Sequence, residues 1–202
     1  GCGISCFPLN KTIKEKQYKN IDLVIKNIIP MGNQIHKTAI VNDEIMNEIY
    51  QQCNQKIEHL KVNFPEYPFS DFHYTKNYFQ TLISKMKSKT SSAIFLRAIG
   101  TLGGGNHYIE FNVDVDGKAY LTIHSGSRAL GQAICDYHQG KIKSGNKNKN
   151  TLNNYLENEE LVEYLIDMIF AQTVASMNRE LMIKMILNEI GVEWNKQKLI
   201  ET

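Results

Sequence analysis

Two runs rich in β-branched and aromatic residues, Tyr108-Ile-Glu-Phe-Asn-Val113 extending to Val115 and Ala119-Tyr-Leu-Thr-Ile123, flank the pair Asp116-Gly117. Apolar side chains alternating on either side of Asp-Gly predict an antiparallel hairpin. This feature constrains the fold most. A hairpin must bury one face against something, and most of the remaining chain carries helical rather than strand periodicity.

From Asn20 to Ile29, Ile21, Leu23, Val24, Ile25, Ile28 and Ile29 recur at helical spacing before Pro30-Met-Gly32. A second helix is predicted after the cap Asn42-Asp-Glu44, with Ile45, Met46, Ile49, Tyr50, Cys53, Ile57 and Leu60 forming one stripe. Residues 63–76 read as loop, and a weaker helical pattern covers Tyr78 to Met86. The strongest helical signal is Glu159 to Asn188, whose apolar stripe includes Leu161, Leu165, Met168, Ile169, Val174, Met177, Leu181, Met185 and Ile186. Helices around a mixed or antiparallel sheet, without regular β-α-β alternation, give an α+β fold.

At 202 residues and 42% hydrophobic, the chain can build one core and is read as a single domain portion. The tract 140–154 is rich in Lys and Asn and is expected to be an exposed loop, because it offers little apolar surface to bury. A net charge of +2 leaves a nucleic-acid partner open rather than indicated. Four irregularly spaced cysteines suit a reducing, cytoplasmic setting better than a disulfide framework. No apolar run approaches the ~18 residues of a membrane span. The first residue is Gly1 and the last turn carries no stop signal, so the sequence is read as part of a longer polypeptide.

Chemistry concentrates between Gly100 and Gly131. Gly103-Gly-Gly105 allows a close backbone approach with amides free to meet an anion, and Asn106, His107 and Glu110 follow at the entry to the first strand. His124 ends the second strand. Pairing around Asp116-Gly117 brings His107 and His124 near each other without making them a direct cross-strand pair; a bulge or a longer loop would correct the offset. Two imidazoles suit a first-row divalent metal, and Cys2, between Gly1 and Gly3, is the candidate thiolate. A single histidine at a strand end is ordinarily a satisfied core residue. His36, His59, His73 and His138 lack motif context and are read as non-ligands. Cys6, Cys53 and Cys135 are read as small buried hydrophobes, and the methionines of the last helix as core packing.

Gly1-Cys-Gly3, Gly100-Thr-Leu-Gly-Gly-Gly-Asn-His-Tyr-Ile-Glu110 and His124-Ser-Gly-Ser-Arg-Ala-Leu-Gly131 stand in the order and style of the RtcB RNA ligase signatures, which this chain resembles. Those signatures are an Asp-x-Gly-Cys-Gly turn, a Gly-Asn-His-Phe-x-Glu strand and a His-Ser-Gly-Ser-Arg-Gly loop. Ala171-Gln172 and Asn178-Arg179 are similar to the family as well. The resemblance implies a GTP- and Mn²⁺-dependent ligase that joins RNA 3′-phosphate or 2′,3′-cyclic phosphate ends to 5′-hydroxyl ends, in tRNA splicing or RNA repair. It implies two metal ions held by Cys2, His107 and His124, and a guanylate pocket lined by Asn106, His107, Tyr108, Ile109 and Glu110. Arg128 is the candidate for a phosphate or RNA contact, and a helper protein is a further expected partner.

The same resemblance puts an acidic ligand before Gly1, Ala129 at a motif glycine, and a third metal histidine and the guanylylated histidine beyond these residues. No catalytic residue is therefore assigned within 1–202. Two other functions fit the same residues: a ligase-derived module that binds RNA ends or nucleotides, and a metal-dependent phosphohydrolase with water as nucleophile.

Overall fold

The computed structural model describes residues 2–9, 13–67, 69, 72–86, 90–145 and 155–202. Four strands form one antiparallel sheet in the order β2-β3-β1-β4, with β1 at Cys2–Pro8, β2 at Tyr108–Val113, β3 at Ala119–Gly126 and β4 at Ile200–Glu201. Among the described residues six α-helices surround it: α1 (Tyr18–Ile28), α2 (Asp43–Asn63), α3 (Tyr78–Met86), α4 (Ser92–Ala98), α5 (Ala129–Gly145) and α6 (Asn158–Glu189). The α+β architecture expected from the periodicities is the one found, with every strand pair antiparallel.

The hairpin forms, with a longer loop than a two-residue turn. Val113 pairs with Ala119, and Asp114 to Lys118 make the connection, closed by the Lys118 carbonyl accepting from the Asp114 amide. The Asp114 carboxylate accepts from the amides of Asp116 and Lys118, and the Asp114 carbonyl accepts from the Gly117 amide, so one side chain supplies two of the turn's hydrogen bonds. Val115, expected to extend the strand, lies in this loop and is fully exposed. The register sets Tyr108, rather than His107, opposite His124.

β1 runs between β3 and β4 although its sequence carries no strand alternation. Directly opposed residues point to the same side of a sheet, so Ser5 and Phe7 share a face with Ile123 and Leu121. That face packs on the C-terminal half of α6 and on α1. Phe7, Leu121, Ile123, Ile21, Ile25, Met182, Ile183 and Ile186 form one buried cluster there. A second cluster joins α2, α3, α4 and α5 to the N-terminal half of α6 through Ile49, Cys53, Ile57, Leu82, Phe95, Ile134 and Phe170. α6 lines both.

α5 overrides one expectation. The helix continues to Gly145 through the first part of the tract read as an exposed loop, while residues 146–154 lie outside the described residues. Local chemistry supports its last turns. Lys141 pairs with Glu163 of α6 and sits 4.9 Å over the Tyr137 ring, so its charge is used rather than merely solvated. Of the other cysteines read as buried, Cys53 is fully enclosed, and burial pushes its thiol up to about 12. Cys6 and Cys135 are only half-buried, because Cys6 faces the open side of the sheet beside Thr122 and Cys135 lies on the outer side of α5 near Gln139.

Candidate metal centre

The sheet's second face, turned away from α6, carries the site. His124 is opposite Ile4 on one side and Tyr108 on the other, and Cys6 is opposite Thr122. By strand parity Cys2, Ile4, Cys6, Thr122, His124, Tyr108 and Glu110 all belong to this face. Ile109 and Phe111 project the other way and pack against the sheet–α6 cluster. The residues expected around a nucleotide thus divide: Asn106, His107, Tyr108 and Glu110 lie on or beside the open face, and Ile109 reaches it only through its main chain.

His107 stands in the loop before β2, with Nε2 3.2 Å from the Cys2 sulfur. Its Nδ1 is 2.8 Å from the Leu102 carbonyl oxygen. A carbonyl only accepts, so Nδ1 carries the proton, and Nε2 turns its lone pair toward the thiol. His124 repeats the arrangement: Nδ1 donates to the Gly3 carbonyl at 3.1 Å, and Nε2 accepts from the Asn106 side-chain amide at 3.3 Å. The two imidazole rings are 5.7 Å apart, nearly perpendicular. Burial pushes the His107 imidazole below the usual histidine range, and the nearby Arg128 guanidinium and His124 act in the same direction against the Leu102 hydrogen bond. Both features favour a neutral ring with a free Nε2, the form that ligates a metal.

The glycine loop shapes one wall. Gly103 has φ +88°, and a Cβ there would lie 1.8 Å from Nη1 of Arg128 and 2.7 Å from Nδ1 of His107. Arg128 itself has φ +56°, a conformation that strains a residue with a side chain. Its guanidinium donates to the Thr101 hydroxyl and to the Gly32 carbonyl, both at 2.9 Å. It is thus half-buried across the glycine loop rather than extended into solvent, with part of its donor set already engaged.

Two residues of α6 hold the loops beneath the site, and periodicity alone gave them no role. Arg179, 4% exposed, donates to the Ser5 hydroxyl at 2.7 Å and to the Ser125 carbonyl at 3.1 Å, and pairs with Glu201. Its guanidinium lies so close to Gly3 that a Cβ there would meet Cζ at 3.0 Å. Asn178 is wholly buried and reaches both the Gly100 turn and the end of β3. The usable signal was a polar pair, Asn178-Arg179, set among apolar residues of a long helix.

Cys2 and His107 therefore meet, and His124 lies beside them without closing on the same point. Among the described residues no group of three or more His, Cys, Asp and Glu side chains is gathered as a ligand set for a metal ion. The donor chemistry still fits one: a thiol, and two imidazoles whose Nδ1–H groups are held by backbone carbonyls, which leaves an Nε2 lone pair on each, facing the Cys2 thiol on His107 and the Asn106 amide on His124. His36 bonds the Gly100 carbonyl and His138 bonds Asp167, so both are engaged elsewhere in the structure. No helix among the described residues is long and apolar enough to cross a membrane.

Comparison with known proteins identifies the family. A family model described as tRNA-splicing ligase RtcB matches residues 2–201. RNA-splicing ligase RtcB of Escherichia coli strain K12 is 33% identical over 99 residues, covering 46% of this chain and 24% of that protein, and RtcB1 of a second Escherichia coli strain matches to the same extent. RNA-splicing ligase RtcB homolog 1 of Entamoeba dispar is 36% identical over 74 residues, 29% of this chain and 14% of its own. The aligned stretch thus spans about a quarter of the length of the Escherichia coli relatives. Since the family match runs from the first described strand to the last, the chain belongs to the RtcB family.

Proposed function

We propose that this chain is the metal-binding part of a GTP- and Mn²⁺-dependent RNA ligase that joins 3′-phosphate or 2′,3′-cyclic phosphate ends to 5′-hydroxyl ends. The observation that carries this reading is the meeting of the Cys2 thiol with a histidine whose tautomer presents Nε2, inside the matched motifs. Cys2, His107 and His124 would hold the metal ions, which supply charge neutralisation at phosphate oxygens when bound. The Leu102 and Gly3 carbonyls fix the two rings. Asn106, Tyr108 and Glu110, on or beside the open face, are the side chains placed to border a guanylate, with Ile109 contributing main chain. Arg128 braces the glycine loop and keeps a cationic group beside it for a phosphate or RNA contact. Four free cysteines are consistent with a reducing, cytoplasmic setting, and a helper protein belongs to the same reading.

The test uses the full-length polypeptide containing this chain, incubated with Mn²⁺ and GTP labelled at the α-phosphate. Covalent guanylate labelling is expected, together with joining of a 2′,3′-cyclic phosphate RNA to a 5′-hydroxyl RNA. Absence of labelling with metal bound would sink the ligase reading. Cys2→Ala and His107→Ala should each lose most bound Mn²⁺; full occupancy in either variant contradicts the ligand assignment.

A further inference from the structure

We propose that Asn178 is a positioning residue: its carboxamide holds two motif-bearing loops in one register and so presents His107 and His124 in the ligating orientation. This rests on the metal-centre reading and assigns a part of it to a residue outside the ligand set.

The bond pattern uses the whole carboxamide. Oδ1 accepts from the amides of Gly100 at 2.6 Å and Thr101 at 3.0 Å. Nδ2 lies within reach of the Thr101 carbonyl at 3.1 Å, the Ser125 hydroxyl at 3.1 Å and the Gly126 carbonyl at 3.0 Å. One side of this set belongs to the glycine loop and the other to the end of β3. The Ser125 hydroxyl, next in sequence to His124, donates onward to the Leu102 carbonyl at 2.8 Å. That same carbonyl receives Nδ1–H of His107. A continuous path of hydrogen bonds therefore runs from α6 through Ser125 to the atom that selects the His107 tautomer.

Size alone does not explain the choice of residue. The carboxamide offers an acceptor to two amides and two N–H donors shared among two carbonyls and a hydroxyl, a combination no apolar side chain supplies and a carboxylate supplies only in half. An asparagine with no access to water that left these groups unpaired would cost the folded state for each of them. The site's main-chain framework is thus pinned by an element distant in sequence.

Asn178→Asp separates positioning from simple support, because it keeps size and the acceptor oxygen but removes the donor. In the metal-free chain labelled with ¹⁵N-histidine, a long-range ¹H–¹⁵N correlation is expected to show His107 as the Nδ1–H tautomer. In the variant the two tautomers should mix. Titration with Co²⁺ alone, read by the thiolate-to-metal absorption in the near ultraviolet, should show affinity reduced roughly 10–100-fold, as for loss of groups that orient a ligand. Ser125→Ala breaks one link of the path and should weaken Co²⁺ binding to a smaller degree, so it decides the matter where Asn178→Asp fails to fold. A variant that unfolds at lower urea yet keeps both the tautomer and the Co²⁺ affinity overturns the proposal and leaves Asn178 purely structural. Wild-type chain that binds no Co²⁺, or Cys2→Ala binding it as tightly as wild type, overturns the metal-centre reading instead, while the tautomer measurement still reports on Asn178.

Discussion

Gly103 bears the tightest steric demand beside the site. Its left-handed backbone and the two site residues crowded against the missing Cβ mean that Gly103→Ala adds backbone strain and displaces Arg128 and His107 together. The strain alone is worth about 1–3 kcal/mol, so the urea midpoint should fall, and on the proposed metal-binding reading Mn²⁺ affinity should fall with it because His107 has moved. An alanine variant matching wild type in both would show that the loop relaxes freely. Cys2 and His107 were singled out in the sequence by the family-like motifs around them, since a lone thiol or a strand-end histidine has an ordinary explanation, and their approach to 3.2 Å is a matter of the fold. Asn178 was not legible as a structural hub. A buried asparagine within an apolar stripe looks the same whether it packs, caps or positions, and only the spatial meeting of Gly100, Thr101, Ser125 and Gly126 around it distinguishes these roles.

At the level of elements, legibility followed how local the stabilising contacts are. α2 announced itself twice, by its apolar stripe and by its cap: the Asn42 side chain accepts from the Ile45 amide at 2.9 Å, with Asp43 and Glu44 in the first turn. Asn42→Ala removes that bond and should lower stability by about 1 kcal/mol, measured as a shift of the denaturation midpoint with an unchanged slope. An unchanged midpoint would mean that water replaces the cap without cost. β1 was illegible for the opposite reason. Its partner β3 is more than a hundred residues away in sequence, and one face carries small polar Ser5 where a core strand usually shows an aliphatic. That serine is needed to receive Arg179. α5 was hidden by His138, Lys141 and Tyr137, polar residues whose partners Asp167 and Glu163 lie on a different helix. The pattern of one segment cannot reveal a partner that the fold supplies from another.

Across the whole molecule, α3, α5 and α6 are joined by a polar network that makes stability depend on pH. Glu163 meets both Lys85 and Lys141, and Asp167 meets Lys85, His138 and the Tyr78 hydroxyl. Partial burial pushes the Glu163 carboxyl up, but Lys141 and Lys85 outweigh it and hold it below its ordinary value of 4.5. A carboxylate with a lowered folded value contributes stability that is complete above its unfolded value and is lost as the pH falls through the folded one. Glu163→Gln should therefore lower the denaturant midpoint near neutrality, while the loss of stability on acidification becomes shallower. Parallel pH profiles for the two proteins would place the acid sensitivity elsewhere. This network and the loops of the candidate metal centre attach to the same helix. At 32 residues α6 is roughly 48 Å long, and it forms a wall of both apolar clusters. In mechanical terms it is a shared beam rather than a strut between two bodies: among the described residues both clusters lean on this one helix, so load applied to either passes into the other and the two are expected to give way together.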